Sequence, residues 1–165
     1  MITRRATVAD ARPIAAVQLR AWWRNYQDIV DTQHFLEWDE ESRAAQWVDT
    51  LVTGLSETFV AEVAGSVCGF ATVGPSREQD AAGDEGELWA LYVDPPAQGA
   101  GVGTRLMAEA EQALRAAGHR AGVLRTLRDN GLARTFYERH GWSFVDGSAE
   151  LHHWDTAHVL YRREL

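Results

Sequence analysis

Apolar positions along this chain change period several times, and each change marks an element. "MITRRAT" reads as a short first strand, and Thr7 to Asp10 fits a variant capping box ahead of a helix. Ile14, Val17 and Ala21 then recur at helical spacing. A second helix is predicted over Glu41 to Leu51, with Ala44, Ala45, Trp47, Val48 and Leu51 on its apolar side. The stretch between them, "WWRNYQDIVDTQHFLEW", is aromatic and reads as irregular. "TFVAEV" and "VCGFATV" flank Ala64-Gly65-Ser66 as a hairpin. "GELWALYV" is a further strand, stopped by Asp94-Pro95-Pro96, which cannot continue a hydrogen-bonded ladder. From Gly101 to Ala117 the period is helical again, with Leu106, Ala110, Ala113, Leu114 and Ala117 on one side and Gly118 as the stop. "AGVLRTL" is a strand, "GLARTFYERH" a helix closed by Gly141, and "WSFVD" and "HVLYRREL" two last strands. The order β-α-α-β-β-β-α-β-α-β-β predicts an α/β or α+β architecture with a mixed central sheet.

Length and charge narrow the class. The 165 residues are most simply one domain, 1–165, large enough to bury a core. A formal charge of −8 argues against nucleic acid as a partner and tilts the expectation toward a small cationic molecule. Part of that charge lies in "REQDAAGDEGE", Arg77 to Glu87, which reads as a solvated loop. The basic residues are all arginine, which excludes Schiff-base chemistry and a phosphate-binding P-loop lysine. Cys68 is the single cysteine, so no internal disulfide is expected, and its apolar strand makes it a buried inert thiol. No apolar run reaches the roughly 20 residues of a membrane span. The N-terminus has no signal-peptide core, so a cytoplasmic protein without membrane association is expected. His152, His153 and His158 in "LHHWDTAH" match no zinc spacing, and no metal is assigned.

The candidate chemistry is densest in "LYVDPPAQGAGVGTRL", Leu91 to Leu106. A Walker A loop needs Gly-Lys before Ser/Thr, and here Thr104 follows Gly103 without a lysine. The dinucleotide fingerprint fails because position 104 is threonine, not glycine. What remains is Q-x-x-G-x-G over Gln98, Gly99, Ala100, Gly101, Val102 and Gly103, after a strand and before a helix. Glycines let successive backbone N–H groups turn toward one point, and the helix N-terminus adds partial positive charge and unpaired donors. A pyrophosphate fits such a place.

Downstream, "NGLARTFYERHGW" sets Asn130, Ala133, Phe136, Tyr137, Gly141 and Trp142 in fixed spacing. Together the two segments, with the opening "ITRRATVADARPIAAV", resemble the GNAT superfamily of acetyl-CoA-dependent N-acetyltransferases over essentially the whole chain. The resemblance implies that family's acyl-CoA N-acyltransferase fold, a mixed sheet flanked by about four helices, with acetyl-CoA as cosubstrate. It implies that the pantetheine arm lies along the backbone of Leu91, Tyr92 and Val93 like an added strand. The pyrophosphate would then sit on Gln98, Gly99, Ala100, Gly101, Val102, Gly103 and Thr104. Asn130, Ala133, Phe136 and Tyr137 match positions lining the other side of the cofactor, although core packing explains Phe136 equally well.

The implied reaction needs two proton transfers. Holding an alkylammonium of pKa about 10 neutral at pH 7 costs roughly 4 kcal/mol, so a base is useful. Glu87 is the candidate, sharing a strand face with Trp89 and Leu91 by alternation; Glu85 and Asp84 are the alternatives. The departing thiolate gains from a donor, and Tyr137 matches the tyrosine that serves many relatives. A backbone N–H of Tyr92 or Val93 could stabilise the oxyanion. The resemblance places the acceptor against the first two helices and their loop. There Trp22, Trp23, Tyr26, Phe35 and Trp38, with Asp28, Asp31, Glu37 and Asp39, suit an ammonium group. A protein N-terminus or lysine is the alternative acceptor, and a non-catalytic acyl-CoA sensor or a nucleotide-binding protein are the alternative classes. Many relatives are dimers, so a homodimer is possible.

Overall fold

Alternating branched and aromatic residues draw most of the chain into one sheet, and the helical stripes close over its two faces. The computed structural model describes residues 1–36, 38–79, 81–148, 151–153 and 156–165. The strands are β1 (Ile2–Arg5), β2 (Glu57–Val63), β3 (Ser66–Pro75), β4 (Glu85–Val93), β5 (Ala121–Leu127), β6 (Ser143–Phe144), β7 (Leu151–His153) and β8 (Thr156–Glu164). The helices are α1 (Ala11–Tyr26), α2 (Gln33–Leu36), α3 (Glu40–Thr53), α4 (Val102–Ala116) and α5 (Gly131–Arg139). The sheet runs β1-β2-β3-β4-β5-β8-β6, with β7 pairing β8 as well. Only β4 and β5 are parallel; the other ladders are antiparallel, which makes the sheet mixed.

One face is covered by α4, whose Leu106, Met107 and Leu114 pack on Ala71, Val73 and Leu88 of the sheet with Tyr137 and Trp142 alongside. Burying each such side chain contributes about 1.5–3 kcal/mol. The opposite face carries α1 and α3, with Ile14, Val17 and Trp47 against Val60 and Phe70. The hairpin at Ala64-Gly65 forms as expected, both residues taking positive φ (51° and 80°) as a tight primed turn requires.

The stretch expected to be irregular is more ordered than that. Helix α1 runs on through Trp22 and Tyr26, whose i,i+4 spacing extends the buried stripe of Ile14, Val17 and Ala21, and α2 adds one turn. The helices therefore number five among the described residues, against about four expected. Conversely "WSFVD" supplies only the two-residue β6, and β7 has no counterpart in the sequence reading.

At the start of α1 the Asp10 carboxylate accepts from the Thr7 backbone N–H at 2.7 Å and from Arg4 Nη2 at 2.7 Å and Nη1 at 2.8 Å. These bonds, led by Arg4, hold Asp10 at about 2 against the ordinary 3.8. A depressed carboxyl contributes stability that is complete above the unfolded value and is lost as pH falls through the folded one. Asp10→Asn is expected to cost about 2 kcal/mol of unfolding free energy at pH 7. That difference from wild type should close as pH is lowered from about 4 toward 2 in denaturant titrations.

Candidate functional site

The parallel ladder between β4 and β5 is short. Glu85, Gly86 and Glu87 pair with Ala121, Gly122 and Val123, and the ladder ends there. Beyond it, β4 stays paired with β3 to Val93, while Leu124 to Leu127 of β5 pair with β8. The two strands part, and one edge of β4 is exposed in the gap. Asp94 N–H bonds Cys68 O of β3 at 2.8 Å, so alternation turns Tyr92 toward β3 and leaves the peptide groups of Leu91 and Val93 facing the gap.

On the α4 side the gap opens into a cavity of about 370 Å3. Its walls include Leu91, Tyr92 and Val93, the turn residues Gln98, Gly99, Gly101, Gly103 and Thr104, and Asn130, Ala133, Phe136 and Tyr137. Gly101 is the N-cap of α4 with φ 81°, and no side chain caps the helix; Gly99 has φ 77°. Both values lie in the left-handed region that only glycine enters at little cost, so the sequence turns the N–H groups of the first helical turn toward the cavity. Gln98 Nε2 donates to Val93 O at 3.2 Å and ties the turn to the strand. Asn130 Oδ1 accepts from Ala133 N–H at 3.1 Å and caps α5. His140 Nε2 meets Thr104 Oγ1 at 3.1 Å, joining α5 to the first turn of α4. Ala100 and Val102, also expected here, do not line this cavity: Ala100 is exposed and the Val102 side chain is buried in the core.

On the α1–α3 side a larger cavity, about 730 Å3, reaches the same gap. Of the expected aromatic wall, Trp22, Tyr26 and Trp38 line it. Phe35 is buried behind Trp22 at a ring separation of 6.4 Å, and Trp23 is 49% exposed. The expected carboxylates are elsewhere. Asp31 accepts from Gln33 N–H at 2.9 Å and Asp39 caps α3 through Ser42 N–H at 2.7 Å, while Asp28 is exposed. Glu37 lies outside the described residues.

Glu87 is buried in this cavity's wall, 4% exposed, and does not stand alone. It accepts from Arg77 N–H at 2.7 Å, and the Arg77 guanidinium meets it at 2.5 Å while lying 4.8 Å over the Trp89 ring. Trp89 shares its face as expected, but Leu91 does not. A bulge at Trp89 pairs Val73 with Leu88 and Thr72 with Ala90, and the extra residue reverses the alternation, so Leu91 packs toward α4. Of the alternatives, Glu85 is engaged by Ser76 Oγ at 3.0 Å and by Arg162, and Asp84 is exposed near Arg120; neither lines a cavity.

The two cavities share Asn25, Leu91, Tyr92, Asn130, Ala133 and Tyr137. Tyr26 donates to Tyr92 across 3.3 Å there. Burial, and then the neighbouring Tyr92, push the Tyr137 phenol well above its usual value of 10. Tyr137 therefore holds its proton at neutral pH and can act as a donor. The acetyltransferase (GNAT) family model matches residues 18–142.

The chain belongs to the GNAT acetyltransferase family.

A Bacillus subtilis (strain 168) relative, YuaI, described as an uncharacterized N-acetyltransferase, is 32% identical over 116 residues. That match covers 69% of this chain and 65% of the relative, so the chain spans just under two thirds of its length. Among solved structures, the PaiA N-acetyltransferase of Thermoplasma acidophilum in complex with coenzyme A superposes with a TM-score of 0.80 at 18% identity, covering 99% of this chain and 98% of that one. YncA of Salmonella typhimurium, with its cofactor acetyl-CoA, gives 0.75 at 21% identity over 99% and 93%. These likenesses establish the GNAT fold for this chain.

Within this GNAT chain the sequence reading missed the polar residues of the larger cavity: Gln18, Arg43, Arg77, Glu78 and Arg125. Gln18 alone left a signal, a polar residue on the apolar stripe of α1, where it is buried. Cys68 is a buried thiol whose Sγ donates to Ala61 O at 3.4 Å, and burial raises its pKa. Among the described residues no group of His, Cys, Asp and Glu could hold a metal, and no helix is long and apolar enough to cross a membrane. The side chains of His152 and His153 lie outside them.

Proposed function

We propose that residues 1–165 form one cytoplasmic domain that transfers the acetyl group of acetyl-CoA to a primary amine by direct attack in a ternary complex. The observation carrying this reading is the pair of cavities entering one gap from opposite faces of the sheet and sharing Leu91, Tyr92 and Tyr137. The smaller cavity fits the cosubstrate found with PaiA and YncA. The uncapped N-terminus of α4 suits a pyrophosphate, and the gap-facing peptide groups of Leu91 and Val93 suit the amides of a pantetheine arm. When bound, acetyl-CoA supplies an acetyl group activated as a thioester.

The chain's own residues then have separate tasks. The larger cavity receives the amine. Val93 or Leu91 N–H, in the gap, is the donor for developing oxyanion charge; Tyr92, turned toward β3, is not. Tyr137 keeps a proton on its hydroxyl for the departing sulfur. Glu87 accepts the amine's proton, directly or through water. Cys68, buried in the sheet and bonded to Ala61, lines neither cavity, which supports direct attack over an acetyl-enzyme.

The test is release of free CoA from acetyl-CoA with a panel of amines, amino acids and peptides. Amine-dependent release is expected; acetyl-CoA binding without turnover on any of them would instead assign a sensor. In the same assay Glu87→Gln should slow turnover at pH 7 by roughly 100-fold. An unaltered rate would place the base elsewhere.

A further inference from the structure

We propose that the acceptor carries a carboxylate as well as its amine, and that Arg43 and Gln18 in the wall of the larger cavity hold that carboxylate. The inference rests on the acetyltransferase reading and adds the substrate class. It comes from the charges that line the cavity. Among the described residues five charged side chains do so: Arg43, Arg77, Glu78, Glu87 and Arg125. Both glutamates are already matched. Glu87 meets Arg77 at 2.5 Å, and Glu78 takes both ends of the Arg125 fork, each at 2.5 Å. Arg43 remains, and among the described residues no carboxylate pairs with it.

Two of the aromatic faces that could hold a substrate ammonium are also taken. The Arg43 guanidinium carbon lies 4.6 Å from the Trp22 ring centroid and 4.5 Å from that of Trp38. A second cation placed against those rings would meet like charge. A cation–π contact uses the flat of a guanidinium and leaves its edge for an oxyanion. Along that edge, Nε donates to Gln18 Oε1 at 3.0 Å and Nη1 to Gln46 Oε1 at 2.6 Å. Among the described residues no acceptor meets Nη2.

Gln18 supplies the second donor. Its Oε1 also accepts from Trp47 Nε1 at 2.8 Å, and two donors on one oxygen fix which end of the amide is the NH2. Gln18 is 4% exposed and lines the cavity, so that NH2 stands beside the guanidinium. Partial burial lowers the Arg43 pKa, as expected of a cation that lacks a counter-charge. From Arg43 the path to the shared wall crosses Trp22, whose ring lies 6.3 Å from that of Tyr92. A molecule bridging it carries its carboxylate at one end and its amine at the other, and amino acids are the simplest probes of that class.

Matched pairs test this by CoA release: L-phenylalanine against phenethylamine, and L-methionine against its decarboxylated amine. Spermidine provides a cationic arm, and the aminophosphonate analogue of phenylalanine separates carboxylate from phosphonate recognition. Wild type should prefer the carboxylated member of at least one pair by roughly 10- to 100-fold in kcat/KM. Arg43→Gln should erase that preference by raising KM for the carboxylated member far more than for the decarboxylated amine. Arg43→Lys, which keeps the charge but loses the fork, should retain part of it. Wild-type preference for spermidine or for the decarboxylated amines overturns the proposal while the acetyltransferase reading stands. Preference for the phosphonate overturns the carboxylate assignment, and no CoA release with any amine removes both readings.

Discussion

Gly101→Glu is expected to abolish coenzyme A binding, weakening it by at least about 100-fold in calorimetric titration, for two reasons that act together. Gly101 sits at φ 81° as the N-cap of α4, with no side chain capping the helix. Any L-residue there is strained by about 1–2 kcal/mol. Relief of that strain swings the first-turn N–H groups away from the cavity they face. The added carboxylate then stands where the proposed site needs positive potential, so it opposes a pyrophosphate directly and competes for the same donors. Gly101→Ala separates the causes: it brings the strain without the charge, and its loss of affinity should be several-fold smaller. No atom lies within 4 Å of the position a Cβ would take, so neither variant creates a clash in the core. Affinity unchanged in Gly101→Glu would refute the cofactor assignment.

Tyr137→Phe is expected to lower kcat by roughly 100-fold while leaving the coenzyme A affinity nearly intact. The ring of Tyr137 packs 5.6 Å from Phe136 and 6.2 Å from Tyr161, and phenylalanine keeps both contacts. What is lost is the proton on the hydroxyl. A thiolate leaving group has a pKa near 8.5, so a neighbouring phenol that stays protonated lowers the barrier to its departure. Burial raises the Tyr137 pKa, so wild-type turnover should show no decline attributable to this group as pH rises to 10. Steady-state rates over that range check both statements. Full activity in Tyr137→Phe would move the donor to Tyr92 or Tyr26, which share the same wall.

How much of this could be read from the chain depended on how local each feature is. The cofactor-side motif is contiguous: Gln98 to Thr104 make the turn and the first helical residues, and glycine is required there by dihedral angles the turn imposes on itself. Asn130 and Tyr137 are placed by the seven-residue spacing of one short helix. The central strand was harder. "GELWALYV" runs apolar from Leu88 to Val93 without a break, and nothing in it announces that pairing with β3 inserts a bulge at Trp89 and carries Leu91 to the face opposite Glu87. The run from Trp22 to Trp38 looked irregular because its aromatic and turn-forming residues are indifferent helix formers; packing onto Tyr92 and Leu127 is what extends α1.

Composition alone pointed to an acidic protein with a cationic acceptor, and it does not say which charges line the larger cavity. Net charge sums every residue, whereas a binding site responds to the few charges on its own wall. The element pattern, the glycine-rich turn and the family were set by short-range chemistry that travels with the sequence. Which carboxylates are neutralised, which arginine stays unmatched between Trp22 and Trp38, and where β4 and β5 part were decided only when distant segments met. Ion pairing and strand register depend on distances that no local pattern encodes.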